Sequence, residues 1–293
     1  MPSLSQHHSN NLVKLLAIGD SKAGKTTSLV SLVAMGLKLR ILDFDNLLDV
    51  FAAKVRQLCP DKIENVEYRS VRDRYKGTAM GTAIDGKPKA WIDSLKMLNH
   101  WTYTDEETGE VIDYGVPATW GDDTVLVIDS LSRWCDAAYD FHEVMTPKGK
   151  SGEADGRAVY GNAQDDVEKQ IASLTSPSFK TNVIVIAHGN YMTLQDGKTK
   201  IFPQGVGQKL SPKIPQYFPN VVYYTKSGEK RVIQLNSNSM IDLANTKPDI
   251  MPKEFPTDTG LAEFFAILRG AGAKSEPDVA PQPKPKALTL RRA

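Results

Sequence analysis

Apolar positions in this chain fall into short continuous runs, separated by stretches that repeat every three to four residues. Residues 12–18 form a run long enough for one strand buried on both faces. Residues 27–35 carry helical spacing, and Gly36 supplies a C-terminal stop. Residues 39–43 predict a second strand and residues 65–71, which alternate, a third. A helix is predicted over 90–100, with Trp91, Leu95 and Leu98 on one side. Residues 102–121 are polar and turn-rich, and Glu107-Thr108-Gly109-Glu110 has the composition of a hairpin turn. Residues 124–129 and 182–187 read as further buried strands. Between them residues 161–175 read as a helix, with Val167, Ile171 and Leu174 on one face.

Strands alternating with helices in this way predict an α/β fold, a mostly parallel sheet covered on both faces. Beyond Ile214 the pattern changes. Residues 221–224 and 231–235 flank Lys226-Ser227-Gly228-Glu229, which predicts an antiparallel C-terminal hairpin. Residues 261–268 then predict a last helix, stopped at Gly270. The organisation expected is an N-terminal arm over 1–11, one domain over 12–270, and a Pro/Lys-rich tail over 271–293 whose composition predicts disorder. No internal repeat is visible.

Composition narrows the setting more than the function. The 293 residues are 41% hydrophobic and 24% charged, with a formal net charge of +1. Such a balance gives no global basic field, so any nucleic acid must be held by local patches. Cys59 and Cys135 are too few for a disulfide framework or a cysteine-rich zinc site, which fits a reducing cytoplasm. No apolar run approaches the roughly 20 residues of a membrane span.

Chemistry enters at Gly19-Asp20-Ser21-Lys22-Ala23-Gly24-Lys25-Thr26, which fits G-x-x-x-x-G-K-[ST] and sits between a predicted strand and a predicted helix. That is the arrangement of a phosphate-binding loop. Glycines let backbone N–H groups turn inward, and the helix N-terminus, from Thr27 on, adds partial positive charge. Lys25 is placed to reach the β- and γ-phosphates of ATP and Thr26 to ligate Mg²⁺. Asp129 follows four apolar residues at a strand end, where a carboxylate can hold the same Mg²⁺; a helix N-cap is the other role open to it. Asp43 and Asp45 end the second strand. Asp45 is the candidate to orient attacking water, against the alternative that both residues only cap a helix over 47–55. His188 ends another strand and is a candidate γ-phosphate contact, or else a histidine bonded to loop backbone.

The loop 19–26, Ile41-Leu42-Asp43-Phe44-Asp45-Asn46, the strand 124–130 and Ile184-Val185-Ile186-Ala187-His188 together resemble the RecA-like recombinase ATPases. They most resemble the compact phage-encoded proteins of the Sak single-strand annealing group. The resemblance covers about residues 12–268. It implies a RecA-like fold, a catalytic base at Asp45 and a γ-phosphate sensor at His188, where RecA itself has glutamate and glutamine. It further implies DNA, in particular single-stranded DNA, bound by loops over 143–157 and 189–213. These carry Lys148, Lys150 and Arg157, and Lys198, Lys200, Lys209 and Lys213, with Tyr191 or Phe202 available to stack on bases. Mobile surface loops often have the same composition. The resemblance also implies a homo-oligomer, ring or filament, with Lys247 as a candidate finger into a neighbouring site or else a solvated lysine. The basic tail is a candidate contact for DNA or a replication or recombination partner, or else a solvated segment with no contact. A P-loop kinase with Arg69, Arg72 and Arg74 as lid residues, and a non-catalytic loader or annealing factor, are the rival readings.

Overall fold

The computed structural model describes residues 12–270, apart from Met80, Glu106, Glu107, Lys150, Ser151 and Glu153. The expected 1–11 arm, 271–293 tail, part of the 107–110 turn and Lys150 therefore lie outside the described residues.

The first apolar run forms β1, Lys14–Gly19, buried along its whole length. The phosphate loop follows and opens α1, Lys25–Ser28, which continues after Leu29 as α2, Val30–Ala34. Gly36 ends this pair with φ of 93°. Then come β2 (Lys38–Asp43), α3 (Asp49–Leu58), β3 (Val66–Ser70), the hairpin β4 (Tyr75–Thr78) and β5 (Gly81–Ile84), and α4 (Ala90–Asn99). The turn-rich stretch forms the hairpin β6 (Thr102–Thr104) and β7 (Val111–Asp113). The rest of the described chain is β8 (Gly121–Asp129), α5 (Leu131–Met145), α6 (Gly156–Thr175), β9 (Thr181–Thr193), β10 (Thr199–Pro203), α7 (Gly207–Leu210), β11 (Asn220–Ser227), β12 (Lys230–Gln234), β13 (Glu254–Pro256) and α8 (Gly260–Leu268).

The main sheet runs β13-β12-β11-β1-β9-β8-β2-β3. From β11 to β3 every neighbouring pair is parallel; β12 and β13 are antiparallel additions at one edge. This is the mostly parallel α/β sheet with an antiparallel C-terminal hairpin that the sequence predicts. β9 lies between the phosphate-loop strand and the Asp129 strand. Because strands buried on both faces need apolar residues at every position, each run serves two cores. Leu16, Ile18, Leu126 and Ile128 face α4, α5 and α6, with Trp91, Trp134, Val167 and Ile171 in that layer. Leu15, Ala17, Val125 and Val127 face α2, α3 and α8, with Leu32, Phe51, Phe264 and Phe265.

Several expectations change. The helix expected over 161–175 starts at Gly156, because the Asp155 side chain caps it by accepting from the Arg157 N–H. Residues 189–213 are not an open loop. β9 continues through Thr193 and pairs antiparallel with β10, after which one turn of helix, α7, follows. Residues 143–145 are the last turn of α5, so the first candidate loop shortens to 146–155, pinched by a bridge between Lys148 and Ala154. The β4–β5 hairpin and β13 carry too few apolar residues to announce themselves. The 102–121 insertion has a structural role at the sheet edge. Tyr103 and Tyr114 donate to the two carboxylate oxygens of Glu67 on β3, at 2.6 and 3.2 Å, and the Arg40 guanidinium lies over the Tyr114 ring.

Candidate nucleotide site

Register brings the chemistry together. Gly19 pairs with His188 and Asp43 with Asp129, so residues far apart in sequence share the C-terminal edge of adjacent strands. Ligands of open α/β sheets bind at that edge. There a cleft of about 480 Å³ is lined by the loop residues Ser21, Lys22, Gly24, Lys25, Thr26 and Thr27, and by Asp45, Asp129, His188 and Arg231.

The loop has its shape for two steric reasons. A Cβ on Gly19 would lie 2.5 Å from the carbonyl oxygen of Tyr224 on β11, so no side chain fits there. Gly24 has φ of 94°, and a Cβ there would lie 2.9 Å from Thr257 Cγ2. Lys25 is buried, and its Nζ donates to the carbonyls of Gly19 and Asp20 at 2.8 and 2.7 Å. Burial lowers the Lys25 pKa, against the charges of Asp129, Asp20 and Asp45.

Thr26 Oγ1 donates to Asp129 Oδ2 at 2.7 Å. Burial pushes the Asp129 carboxyl up to about 7. The Thr26 hydrogen bond opposes that rise, Asp45 and Asp43 add to it, and Lys25 opposes it. A buried carboxylate beside a hydroxyl, with other acids near, is an oxygen donor pair in want of a cation, and it fits Mg²⁺. That ion is held by one or two protein oxygens plus substrate phosphates. Among the described residues no cluster of three metal-ligating side chains exists, as such a shared site requires none.

Asp43 and Asp45 separate in role. Buried Asp43 accepts from the N–H groups of Asp45 and Asn46 at 3.1 and 2.7 Å, and Asn46 takes φ of 55°. Asp43 thus turns the chain after β2 rather than capping α3, which begins only at Asp49. That turn aims Asp45 into the cleft. Ser130 Oγ donates to Asp45 Oδ1 at 3.0 Å, His188 Nε2 lies 3.6 Å from Oδ2, and Arg133 Nε lies 4.0 Å from Oδ1. Burial disfavours the Asp45 carboxylate, but His188, Ser130 and Arg133 outweigh it and the pKa falls. The His188 N–H donates to Ser132 Oγ, leaving the ring directed at Asp45.

Other candidates lie outside this cleft. Lys247 Nζ donates to the Ile267 carbonyl at 2.9 Å, at the C-terminus of α8 in its own chain. Lys198 pairs with Asp196, Lys200 with Asp242 and Lys213 with Glu168. Lys148, Arg157 and Lys209 are exposed and have no ion pair among the described residues. Ser130 and Arg231 were not picked out from sequence. Ser130 had a signal, standing directly after Asp129. Arg231 had none, since only the fold of the β11–β12 hairpin brings its Cδ within 3.5 Å of a Cβ built on Gly24.

A glycine loop between strand and helix, a lysine and threonine at the helix start, and an acid across from them on the sheet edge define a P-loop ATPase. The family comparison is specific: residues 11–245 match the model described as an AAA domain, and the chain belongs to that family. None of the curated proteins compared matches it. Among solved structures it is similar to the RadB recombinase, at 17% identity over 85% of this chain and 89% of that one, with a TM-score of 0.43. No helix among the described residues is long and apolar enough to cross a membrane.

Proposed function

We propose that this chain hydrolyses ATP with Mg²⁺ and couples hydrolysis to single-stranded DNA in phage-type recombination, annealing or repair, as a homo-oligomer. The observation that carries the reading is the convergence of Lys25, Thr26, Asp129, Asp45 and His188 on one cleft. Lys25 and the loop N–H groups offset the charge of the β- and γ-phosphates, while Thr26 and Asp129 are the residues to hold Mg²⁺. The ion, when bound, supplies charge neutralisation at the β- and γ-phosphate oxygens. Asp45 stays ionised at neutral pH, because its pKa is lowered, and is fitted to orient a water and accept its proton. His188 links that carboxylate to the β9–β10 hairpin. Single-stranded DNA is assigned to this hairpin and the 146–155 loop from the resemblance, with Tyr191, Lys209, Lys148 and Arg157 as contacts.

A kinase lid draws less support. Arg69 lies over the Tyr103 ring, away from the cleft, and Arg72 donates to the Asp45 carbonyl at 3.4 Å. The test is the ATPase rate with and without single-stranded DNA, for the wild type and Asp45→Asn. DNA stimulation that disappears in the variant is the expected result. No stimulation removes the DNA reading, and an unchanged variant removes Asp45 as base.

A further inference from the structure

Asp20 is an anomaly in a loop that receives phosphates. It is an acid, the second residue of the motif, and its charge opposes a triphosphate in a partly desolvated cleft. Yet Ser21 and Lys22 line the cleft and Asp20 does not. Its carboxylate is turned the other way, against β9. A Cβ built on Gly189 would lie 3.8 Å from Asp20 Oδ1 and 4.0 Å from Tyr223 Cε2.

Two tyrosines hold it there. Tyr223 on β11 and Tyr191 on β9 each place a hydroxyl 3.3 Å from Asp20 Oδ1, and the two hydroxyls lie 3.4 Å apart. Two hydroxyl protons serve these three contacts. Either both point to the carboxylate, or one hydroxyl relays to the other; in each case the negative charge is anchored. Asp20 is tied to the loop cation as well, since its carbonyl accepts from Lys25 Nζ. The extension of β9 past His188 is what makes this possible, because Tyr191 lies on that hairpin opposite Ile201.

We infer that Tyr191 and Tyr223 form a hydroxyl clamp that holds the Asp20 carboxylate out of the triphosphate cleft, which makes both tyrosines positioning residues for nucleotide binding. The inference rests on the reading of the cleft as an ATP site. Without the hydroxyls, Asp20 is free to turn toward the phosphates. The loss in affinity then comes from its charge, and removing the charge restores affinity.

The experiment is calorimetric titration of the full chain with Mg·ATP, for the wild type, Tyr191→Phe, Tyr191→Phe/Tyr223→Phe, and that double variant carrying Asp20→Asn. Phenylalanine keeps the ring packing, and the Tyr191 ring is half exposed, so the single variant is readable even where the double is less stable. Each hydroxyl bond lost at 3.3 Å is expected to weaken binding by about twofold to threefold, the low end of a net hydrogen-bond contribution. The double variant is expected to bind about fivefold to tenfold more weakly, and Asp20→Asn to bring it back within about twofold of the wild type. Wild-type affinity in the double variant overturns the clamp. So does a weakened double variant that Asp20→Asn leaves unrestored, since the tyrosines then act through packing alone. A wild type that binds no ATP defeats the ATP reading itself, a separate outcome.

Discussion

Replacing Asp129 with asparagine separates what the site needs from what the fold prefers. Asp129 is 4% exposed, and its carboxyl is raised from 3.8 to about 7, first by burial. A raised carboxyl means that the folded protein keeps the proton longer than the unfolded chain does. Between about pH 4, where the unfolded chain begins to ionise, and pH 7, where the folded one does, stability therefore falls as pH rises. The loss is complete above pH 7. A shift of about three units corresponds to about 4 kcal/mol at most. Asparagine is neutral at every pH, has nearly the same shape, and can still accept from Thr26. Recovering even a quarter of the penalty, about 1 kcal/mol, raises the melting temperature by about 2–4 °C in a chain of this size. Thermal melts in EDTA at pH 8, 6 and 4 test this. Asp129→Asn is expected to melt above the wild type at pH 8, by less at pH 6 and not at all near pH 4. The same variant loses Mg²⁺-dependent stabilisation by ATP. A variant that melts at or below the wild type at pH 8 refutes the claim that an uncompensated buried charge sits at this strand end.

Two other substitutions probe residues that only the structure brought forward. Ser130→Ala removes the 3.0 Å hydrogen bond to Asp45 Oδ1 and is expected to lower kcat by about tenfold with KM for ATP unchanged; a changed KM with normal kcat places Ser130 in binding instead. Arg231→Ala removes a cation that lines the cleft beside Gly24. It is expected to weaken ATP and ADP alike by about fivefold, as loss of a charge-assisted phosphate contact does, with Arg231→Lys intermediate; equal dissociation constants by titration dismiss the contact.

What the sequence made readable follows from how local each signal is. The central runs Leu15–Ile18 of β1, Val125–Ile128 of β8 and Val183–Ala187 of β9 are apolar because both faces are buried, β2 breaks its run only at Arg40, and the chemistry-bearing residues stand at the C-terminal ends. Lys25, Thr26, Asp45, Asp129 and His188 could therefore be picked out one strand at a time, and the parallel register then made them neighbours. Gly19 and Gly24 were likewise legible from the motif, although the reason Gly19 admits no side chain, the Tyr224 backbone, lies more than two hundred residues away. Contacts set by a second chain crossing leave no such trace. Arg231 reaches the loop only because β12 folds back on β11 with Lys226 opposite Arg231. Tyr191 and Tyr223 meet Asp20 only because β9 outlasts its apolar run and continues through Gly189 and Asn190, residues that on their own read as the end of a strand. β10 supplies the missing backbone partners, so pairing rather than propensity decides where β9 stops. The same extension puts His188 beside Asp45 and Tyr191 beside Asp20 on one strand that pairs with the phosphate-loop strand. On the proposed function, DNA held by the hairpin and a nucleotide in the cleft meet these same side chains, and coupling between the two requires that both ligands favour one arrangement of them over another.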